Sequence, residues 1–305
     1  MPATLRWEET PPAAHAVVLA AAQARYNFIG HALQRLYAVD AGAVQSVGAS
    51  LLATGGAMAV YRMAATLAEG QTHFLICKLP RRRLRNTLGT PSDEEATLAL
   101  LARLAALAER LSQRAPGLFP RCGGLWHWRD ASGEPCCLMV EEFVPGVSVE
   151  RLILRAEEAW LAGRLDAEAY HRRRTALARL AVASFTRLWD GLDRRLFTAD
   201  PSPWNVLVRQ PEAECPQATI VDLHSLVEGA ELGDVLQRLA AVYGLRPETV
   251  EEVLLPGILD ALGPEAGRAL LLAALPRLEA EAAQSRRQLG VDLQQPLLAA
   301  IRRLE

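Results

Sequence analysis

Lysine is almost missing from this chain of 305 residues: 32 of its 33 basic residues are arginine, and the remaining one is Lys78. Long apolar runs are missing too, since none reaches the ~18 residues that a membrane-spanning helix needs. The N-terminus lacks a basic segment followed by an apolar core, and the net charge of −2 lacks the positive excess typical of nucleic-acid binding. These absences predict a cytoplasmic protein with no transmembrane segment and no nucleic-acid partner.

Cysteine is scarce and unpaired in pattern. The five cysteines are odd in number and show no spacing typical of metal ligands, which argues against a disulfide framework or a zinc site. We expect buried free thiols in a reducing compartment. Half of the residues are hydrophobic and 22% are charged, an ordinary composition for a soluble globular chain that is long enough for two lobes. The cysteines are Cys77, Cys122, Cys136, Cys137 and Cys215.

Periodicity divides the chain into a β-rich first part and a helical second part. Residues 1–43 begin with a polar, irregular lead-in and continue as a helical cap, residues 44–142 form a strand-rich N-lobe, and residues 143–305 form a mainly helical C-lobe. A helical hairpin is predicted over residues 147–192, with its break at 164–166. Further breaks are expected at residues 244, 256–257, 263–264 and 290. The predicted strands are 44–52, 58–67, 72–79, 123–128 and 136–140, followed by a ribbon over 205–209 and 218–222.

The most informative stretch is Phe197 to Val208, which reads FTADPSPWNVLV. An apolar run ends at Asp200, two prolines hold a tight loop, and Asn205 stands where the chain enters a short strand. A second apolar run then leads to Asp222. Such a set can hold an attacking hydroxyl and Mg²⁺ against a triphosphate, although a turn with capping polar residues would look similar.

Lys78 closes the apolar strand FLICK in the first part of the chain. An ammonium is a compact point charge, unlike the planar fork of arginine, and therefore suits phosphate contacts of a different geometry. Upstream, Thr54, Gly55 and Gly56 form a turn between two strands, and glycine there lets backbone N–H groups approach a phosphate. The alternatives are a lysine left by chance and an ordinary hairpin turn.

A helix is predicted to begin after Ser92, the expected N-cap, with Glu95 as its capping-box partner. Glu94 would then face inward, where it could meet Lys78; otherwise both glutamates only complement the helix dipole. Further on, the run LMVEEFVPG leaves a buried strand for a Pro-Gly turn. That turn suits a hinge whose backbone, around Glu141 and Phe143, could hydrogen-bond an adenine edge.

In this order the features resemble the protein-kinase-like fold, and within it the aminoglycoside phosphotransferase and choline-kinase-like family. The resemblance covers residues 44–239 and rests on FLICK, a helix glutamate, LMVEEFVPG, TADPSPWNVLV and Ile220-Val221-Asp222, with Gly233-Asp234 opening a later helix. It implies an α+β, bilobal fold with a β-rich N-lobe and a mainly helical C-lobe. An N-terminal helical segment would be an addition to that fold.

The resemblance also implies roles for the residues that match it, with ATP and Mg²⁺ as cofactors. Asp200 would orient an acceptor hydroxyl and accept its proton, and Asn205 and Asp222 would chelate Mg²⁺. Asp234 would be structural and tie down the catalytic loop. The nucleotide would be bound by Lys78 with Glu94 beside it, by Thr54, Gly55 and Gly56 over the phosphates, and by Glu141 and Phe143 at the hinge.

The departures from the family shape the functional hypothesis. The expected His-Gly before Asp200 is Thr198-Ala199, His224 lies in the segment after Asp222, and only ten residues separate Asp222 from Gly233. This favours a bacterial phosphotransferase acting on the hydroxyl of an aminoglycoside-, sugar- or amino-alcohol-like molecule. A kinase of a lipopolysaccharide core or of a protein is an alternative, since the loop Arg81–Arg85 is either solvated or a dock for an anionic acceptor or partner. A pseudokinase that binds nucleotide or acts as a scaffold is another, and the sequence does not set the oligomeric state.

Overall fold

A computed structural model of the protein describes residues 4–7, 28–54, 58–80, 94–129, 135–213, 216–222, 226–289 and 294–304. It is a mixed α/β structure with a largely antiparallel sheet in its N-terminal part and helices in its C-terminal part. The chain divides into two compact units, Met1–Ser112 with Pro120–Phe143 and Gln113–Phe119 with Val144–Glu305.

The first unit is built on a six-stranded sheet with the order β1-β2-β3-β4-β6-β5. All neighbouring strands are antiparallel except β1 and β2, which are parallel. The predictions for β2 to β6 are confirmed to within two residues at each end. The expectation of an irregular lead-in is wrong at β1, a four-residue strand that pairs by backbone hydrogen bonds with the edge of β2. The strands are β1 (Thr4–Trp7), β2 (Val44–Thr54), β3 (Met58–Leu67), β4 (Thr72–Pro80), β5 (Cys122–Arg129) and β6 (Pro135–Glu142).

Helix α1 (Phe28–Tyr37) covers one face of this sheet. Its apolar side chains join every second residue of β3, β4 and β6 in one buried cluster, as the period-two alternation of strands requires. A short 3₁₀ turn (Ala41–Ala43) then leads into β2. Because Cys77 lies in the cluster, its neighbour Lys78 belongs to the opposite face. The buried cluster includes Phe28, Leu33, Leu36, Tyr61, Met63, Leu75, Cys77 and Val140.

The thiol of Cys77 gives the fold a predictable response to alkaline pH. Burial raises its pKa from the ordinary value of 9.0 to about 12, so the folded state holds a proton that the unfolded state releases. This contribution to stability is fully present below pH 9 and is lost as the pH rises toward 12. We expect Cys77→Ala to reduce the alkaline fall in unfolding free energy by up to about 1.4 kcal/mol per pH unit.

Urea unfolding between pH 8 and 11 measures that slope. Val140→Ala, opposite Cys77 in the strand register, is the matched control, because it opens a cavity in the same core without removing a titrating group. It should lower stability by a constant amount at every pH. An unchanged slope in Cys77→Ala would contradict the prediction.

The second unit is mainly helical. It contains the small antiparallel sheets β10-β9-β7 and β11-β8, and it receives the end of α2 (Glu94–Arg114), the helix predicted after Ser92. Every helix in the described part of the chain is too short or too polar to cross a membrane. The remaining elements are β7 (Val147–Ser148), α3 (Val149–Leu161), α4 (Ala167–Gly191), β8 (Leu196–Thr198), β9 (Val206–Arg209), β10 (Gln217–Ile220), β11 (Leu226–Glu228), α5 (Leu232–Tyr243), α6 (Pro247–Thr249), α7 (Leu255–Leu262), α8 (Pro264–Leu289) and α9 (Gln295–Arg302).

The predicted helical hairpin is confirmed as α3 and α4, and both helices begin at capping side chains. Ser148 Oγ accepts a hydrogen bond from Arg151 N at 3.2 Å, and Asp166 Oδ1 accepts one from Ala169 N at 2.6 Å. Each oxygen satisfies a backbone N–H that has no partner inside its own helix. The break between the helices therefore falls at Asp166, as expected.

The predicted break at Pro256 and Gly257 is wrong. The chain stays helical through α6, a π-helical turn (Val250–Leu254) and α7. Leu255 N donates to Val250 O, five residues back, and this wider turn comes directly before Pro256. A π turn relaxes the regular i to i−4 ladder, into which proline cannot donate.

Gly257 lets α7 approach α4 closely. A Cβ atom at Gly257 would lie 2.7 Å from Val182 Cγ1 and 3.0 Å from Arg179 O. We expect Gly257→Ala to destabilise the protein by about 1–3 kcal/mol, the usual cost of overpacking a core. Gly233→Ala is the matched control in α5, where the nearest atom would be 3.7 Å away. Chemical denaturation compares the two, and equal stabilities would contradict the close approach.

Candidate active site

The loop between β8 and β9 carries the residues with the clearest chemistry. It leaves β8 at the buried Thr198 and re-enters β9 through a 3₁₀ turn (Pro203–Asn205). Pro203 opens that turn with a fixed φ, and Asn205 N closes it on Ser202 O at 3.0 Å. The sequence thus shapes a rigid, half-buried loop around Asp200.

Both carboxylate oxygens of Asp200 are oriented by side chains of the same loop. Ser202 Oγ donates to Oδ1, and Asn205 Nδ2 donates to Oδ2 at 3.2 Å. The same Nδ2 also lies 3.2 Å from the Asp200 carbonyl oxygen. Asp200 N in turn donates to Thr198 Oγ1 at 3.1 Å. An acidic side chain held in one orientation can accept a hydrogen bond, and then a proton, from a hydroxyl placed before it.

Asn205 is also joined to the strand that precedes Asp222. Val221 N donates to Asn205 O at 2.9 Å, which extends the β9–β10 ladder by one residue beyond the pair Val206 and Ile220. Asp222 is the next residue along the chain. The structure therefore brings Asp200 and Asn205 into direct contact and places the backbone of Asp222 one residue beyond a hydrogen bond to Asn205.

The donor set fits a hard divalent cation. The amide of Asn205 turns its Nδ2 toward Asp200, so its oxygen Oδ1 is the end suited to a metal, and Asp222 supplies a carboxylate. Among the described residues, no group of three or more His, Cys, Asp or Glu side chains is arranged so that it could hold a metal ion by itself. Two oxygen ligands nevertheless suit Mg²⁺, which usually keeps waters and takes its other ligands from phosphates.

Tyr243, the last residue of α5, braces the loop from another part of the chain. Its hydroxyl donates to Pro201 O at 3.3 Å. Burial, and to a lesser extent the negative charge of Asp200, raise the pKa of the Tyr243 phenol, so the donor stays protonated at neutral pH. Sequence reasoning missed this residue because nothing in the local pattern of α5 links it to a loop some forty positions upstream.

Thr198-Ala199 stands where the family that this sequence resembles has His-Gly. The Thr198 hydroxyl accepts a hydrogen bond from Asp200 N. We expect Thr198→Val to lower the unfolding free energy by about 1–2 kcal/mol, because the partly buried N–H of Asp200 loses its acceptor. Thr198→Ser keeps the oxygen and should stay near the native stability. Thermal denaturation of the pair tests this, and two variants of equal stability would show that the hydrogen bond matters little.

Asp234 is structural, but its partners differ from those expected. Its Oδ2 accepts from Glu231 N at 2.8 Å in a capping box, and its Oδ1 pairs with Arg277 Nη2 at 2.8 Å. Arg277 also binds Glu231 and Glu281, and these contacts raise the pKa of its guanidinium. Asp234 therefore fastens α5 to α8, whereas Tyr243 fastens the loop that carries Asp200.

In the first unit, Lys78 forms a buried ion pair with Glu141. Its Nζ lies 2.8 Å from Glu141 Oε2, and only 11% and 2% of the two side chains are exposed. In the register of β4 and β6, Met139 is opposite Lys78 and Glu141 is opposite Ile76. The side chains of Lys78 and Glu141 therefore lie on the same face of the sheet, diagonally across the two neighbouring strands. Sequence reasoning placed Glu141 at the hinge for its backbone and missed its carboxylate, which the consecutive glutamates of LMVEEF could have suggested.

The remaining predicted nucleotide contacts are described to different extents. Phe143 packs its ring 5.5 Å from that of Phe74. Thr54 ends β2 and Glu94 begins α2, while the side chains of Thr54, Glu94 and Glu95 lie outside the described part. Gly55, Gly56, Ser92, the loop Arg81–Arg85 and His224 lie wholly outside the described residues.

Comparison with known proteins does not assign the chain to a family. No family model matches the chain, and no curated protein matches it. Among solved structures, the chain is similar to one of WaaP in complex with acyl carrier protein, with a TM-score of 0.40 and 14% identity over 83% of this chain and 95% of that chain. A TM-score below 0.5 does not establish a shared fold.

Proposed function

We propose that this protein is a phosphotransferase of the protein-kinase-like fold, which uses ATP and Mg²⁺ to phosphorylate a hydroxyl of a small molecule. The observation that carries the proposal is the loop in which Ser202 and Asn205 hold the Asp200 carboxylate by hydrogen bonds. The backbone carbonyl of Asn205 also accepts a hydrogen bond from Val221 N, one residue before Asp222. Phosphoryl transfer needs one oriented base beside two oxygen ligands for a cation. This loop and ribbon supply all three.

Asp200 acts on the acceptor. One of its oxygens accepts the hydrogen bond of the acceptor hydroxyl and takes up the proton as the hydroxyl oxygen bonds to the γ-phosphorus of ATP. The bond between that phosphorus and the bridging oxygen breaks in the same step, and ADP leaves. Hydrogen bonds from Ser202 and Asn205 keep the carboxylate in place, which saves the entropy of ordering it during the reaction. Asn205 Oδ1 and Asp222 would hold Mg²⁺, which when bound neutralises charge on the transferred group.

Lys78 acts on the nucleotide. Its ammonium would contact phosphate oxygens of ATP, and its ion pair with Glu141 fixes the position of the charge. Because the side chain is 11% exposed, water screens its field less than at the surface. A hydroxyl on a small molecule is favoured as acceptor by the short segment between Asp222 and Gly233, which leaves little chain for docking a protein substrate.

Nucleotide-dependent thermal stabilisation tests the proposal. We expect millimolar ATP to raise Tm only when Mg²⁺ is present, and Lys78→Ala and Asp222→Ala to abolish the rise. Asp190→Ala removes an exposed carboxylate that pairs with Arg194 and should leave the rise intact. The absence of any shift in the native protein would overturn the proposal. A shift without phosphate transfer to any sugar, amino alcohol or antibiotic would favour a pseudokinase.

A further inference from the structure

A cavity of about 590 Å³ opens in the second unit beside the candidate catalytic loop. Its walls come from α3, α4 and the segment that joins α5 to α7, and two of its lining residues are Pro203 and Tyr243. Pro203 belongs to the loop itself, and Tyr243 is bonded to the loop at Pro201. The volume lies within the ~300–1,000 Å³ of ordinary small-molecule sites.

The lining combines an apolar surface with two arginines. Arg174 on α4 and Arg246 after α5 both line the cavity, and among the described residues neither has a carboxylate within ion-pairing distance. His171, in the same lining, is by contrast occupied by Glu252 at 2.9 Å. Two guanidinium groups in one concave site recognise an anionic group well, because each offers a planar fork of N–H donors. The apolar part of the lining comprises Ile153, Leu154, Ala178, Val242 and Val253.

Acidic residues complete the lining. Glu150 and Glu248 also face the cavity, and carboxylates there can accept hydrogen bonds from hydroxyl groups. The lining also includes Glu252 and Val253, which belong to the π-helical turn. Such turns are rare and occur often at functional sites, and this one contributes two residues to the cavity lining.

We propose that this cavity binds the phosphate acceptor, and that the acceptor is a sugar or polyol that carries an anionic group, either a carboxylate or a phosphate. The inference rests on the proposed function. Arg174 and Arg246 bind the anionic group, Glu150 and Glu248 bind hydroxyl groups, and the apolar lining packs against the carbon skeleton. A further hydroxyl is then presented toward the loop that carries Asp200.

Four sugars of one scaffold and different charge test the assignment: glucose 6-phosphate, glucuronate, glucose and glucosamine. Binding to the full chain is measured by calorimetry in the absence of nucleotide. We expect one or both anionic sugars to bind at least tenfold more tightly than glucose and glucosamine. Comparing glucose 6-phosphate with glucuronate distinguishes a phosphate from a carboxylate.

Arginine variants localise the binding. Arg174→Ala and Arg246→Ala should each weaken binding of the preferred anionic sugar by about tenfold, and Arg174→Glu should weaken it further. Arg187→Ala removes an exposed arginine from the same helix as Arg174 but outside the cavity, and it should change nothing. Circular dichroism confirms that each variant is folded. The inference would be overturned if anionic sugars bound no more tightly than glucose, or if Arg174→Ala and Arg246→Ala left their binding unchanged.

Failure of this inference is distinguishable from failure of the proposed function. If anionic sugars bind through the two arginines but Mg·ATP produces neither stabilisation nor transfer, the cavity stands as a ligand site and its role as an acceptor site fails. If Mg·ATP is bound and phosphate passes to glucosamine or glucose without any effect of Arg174→Ala, the phosphotransferase stands and the acceptor class is wrong.

Discussion

Replacing Asp200 by asparagine is expected to slow phosphate transfer by about 10²- to 10⁴-fold, the range that a positioned general base contributes. The change removes the proton acceptor and preserves the shape of the side chain. Ser202 can rotate its hydroxyl to accept from the new amide, so the loop keeps most of its hydrogen bonds. Mg·ATP binding should persist, because Asn205, Asp222 and Lys78 are untouched.

Rate and binding are measured separately, by transfer of labelled phosphate and by the nucleotide-induced rise in Tm. Asp190→Asn is the matched control, since Asp190 is exposed and pairs only with Arg194, at 2.8 Å, among its described contacts. It should transfer phosphate at the native rate. Native turnover in Asp200→Asn would remove Asp200 from the reaction and with it the central step of the proposal.

Lys78→Met is expected to destabilise the protein by about 3–5 kcal/mol and to abolish stabilisation by ATP. The large cost follows from Glu141, whose side chain is 2% exposed and whose carboxylate loses the ammonium 2.8 Å away. A charge so deeply buried is expensive once its ion-pair partner is gone. Urea unfolding in the absence of nucleotide measures the stability loss, and thermal shift with Mg·ATP measures the binding loss.

The double variant Lys78→Met with Glu141→Gln separates the two effects. It removes both charges, so we expect it to regain most of the stability while still failing to bind nucleotide. A double variant as unstable as Lys78→Met would mean that the ion pair is not the source of the loss. A single variant that still responds to Mg·ATP would show that Lys78 serves the sheet alone.

Local rules in the sequence explain why much of the architecture was predictable. The alternation of apolar residues in β3 and β4 marks strands and assigns Lys78 and Cys77 to opposite faces. The helical hairpin predicted over residues 147–192 with a break at 164–166 is found, and Ser148 and Asp166 cap its two helices. The two prolines around Ser202 predict a tight loop, and the hydrogen bonds of that loop confirm one.

Other features depend on distances that a linear pattern does not contain. The pairing of Lys78 with Glu141 follows from the register of β4 on β6, which no local motif specifies. Tyr243 reaches Pro201 through the packing of α5, and β1 pairs in parallel with β2, a strand far from it in the sequence. The cavity could not be predicted from the sequence either, because its two arginines come from separate segments of the chain.

The π-helical turn at Val250–Leu254 amounts to one residue inserted into an otherwise continuous helix. If the same residues were wound as a regular α-helix without the π turn, everything after the turn would be rotated by about 100° relative to everything before it. Glu252 and Val253 could then no longer line the cavity while Gly257 met Val182 on α4. The extra residue thus changes the direction in which the later side chains point. It lets one helix direct Glu252 and Val253 toward the cavity and Gly257 toward Val182, which an uninterrupted α-helix would not do.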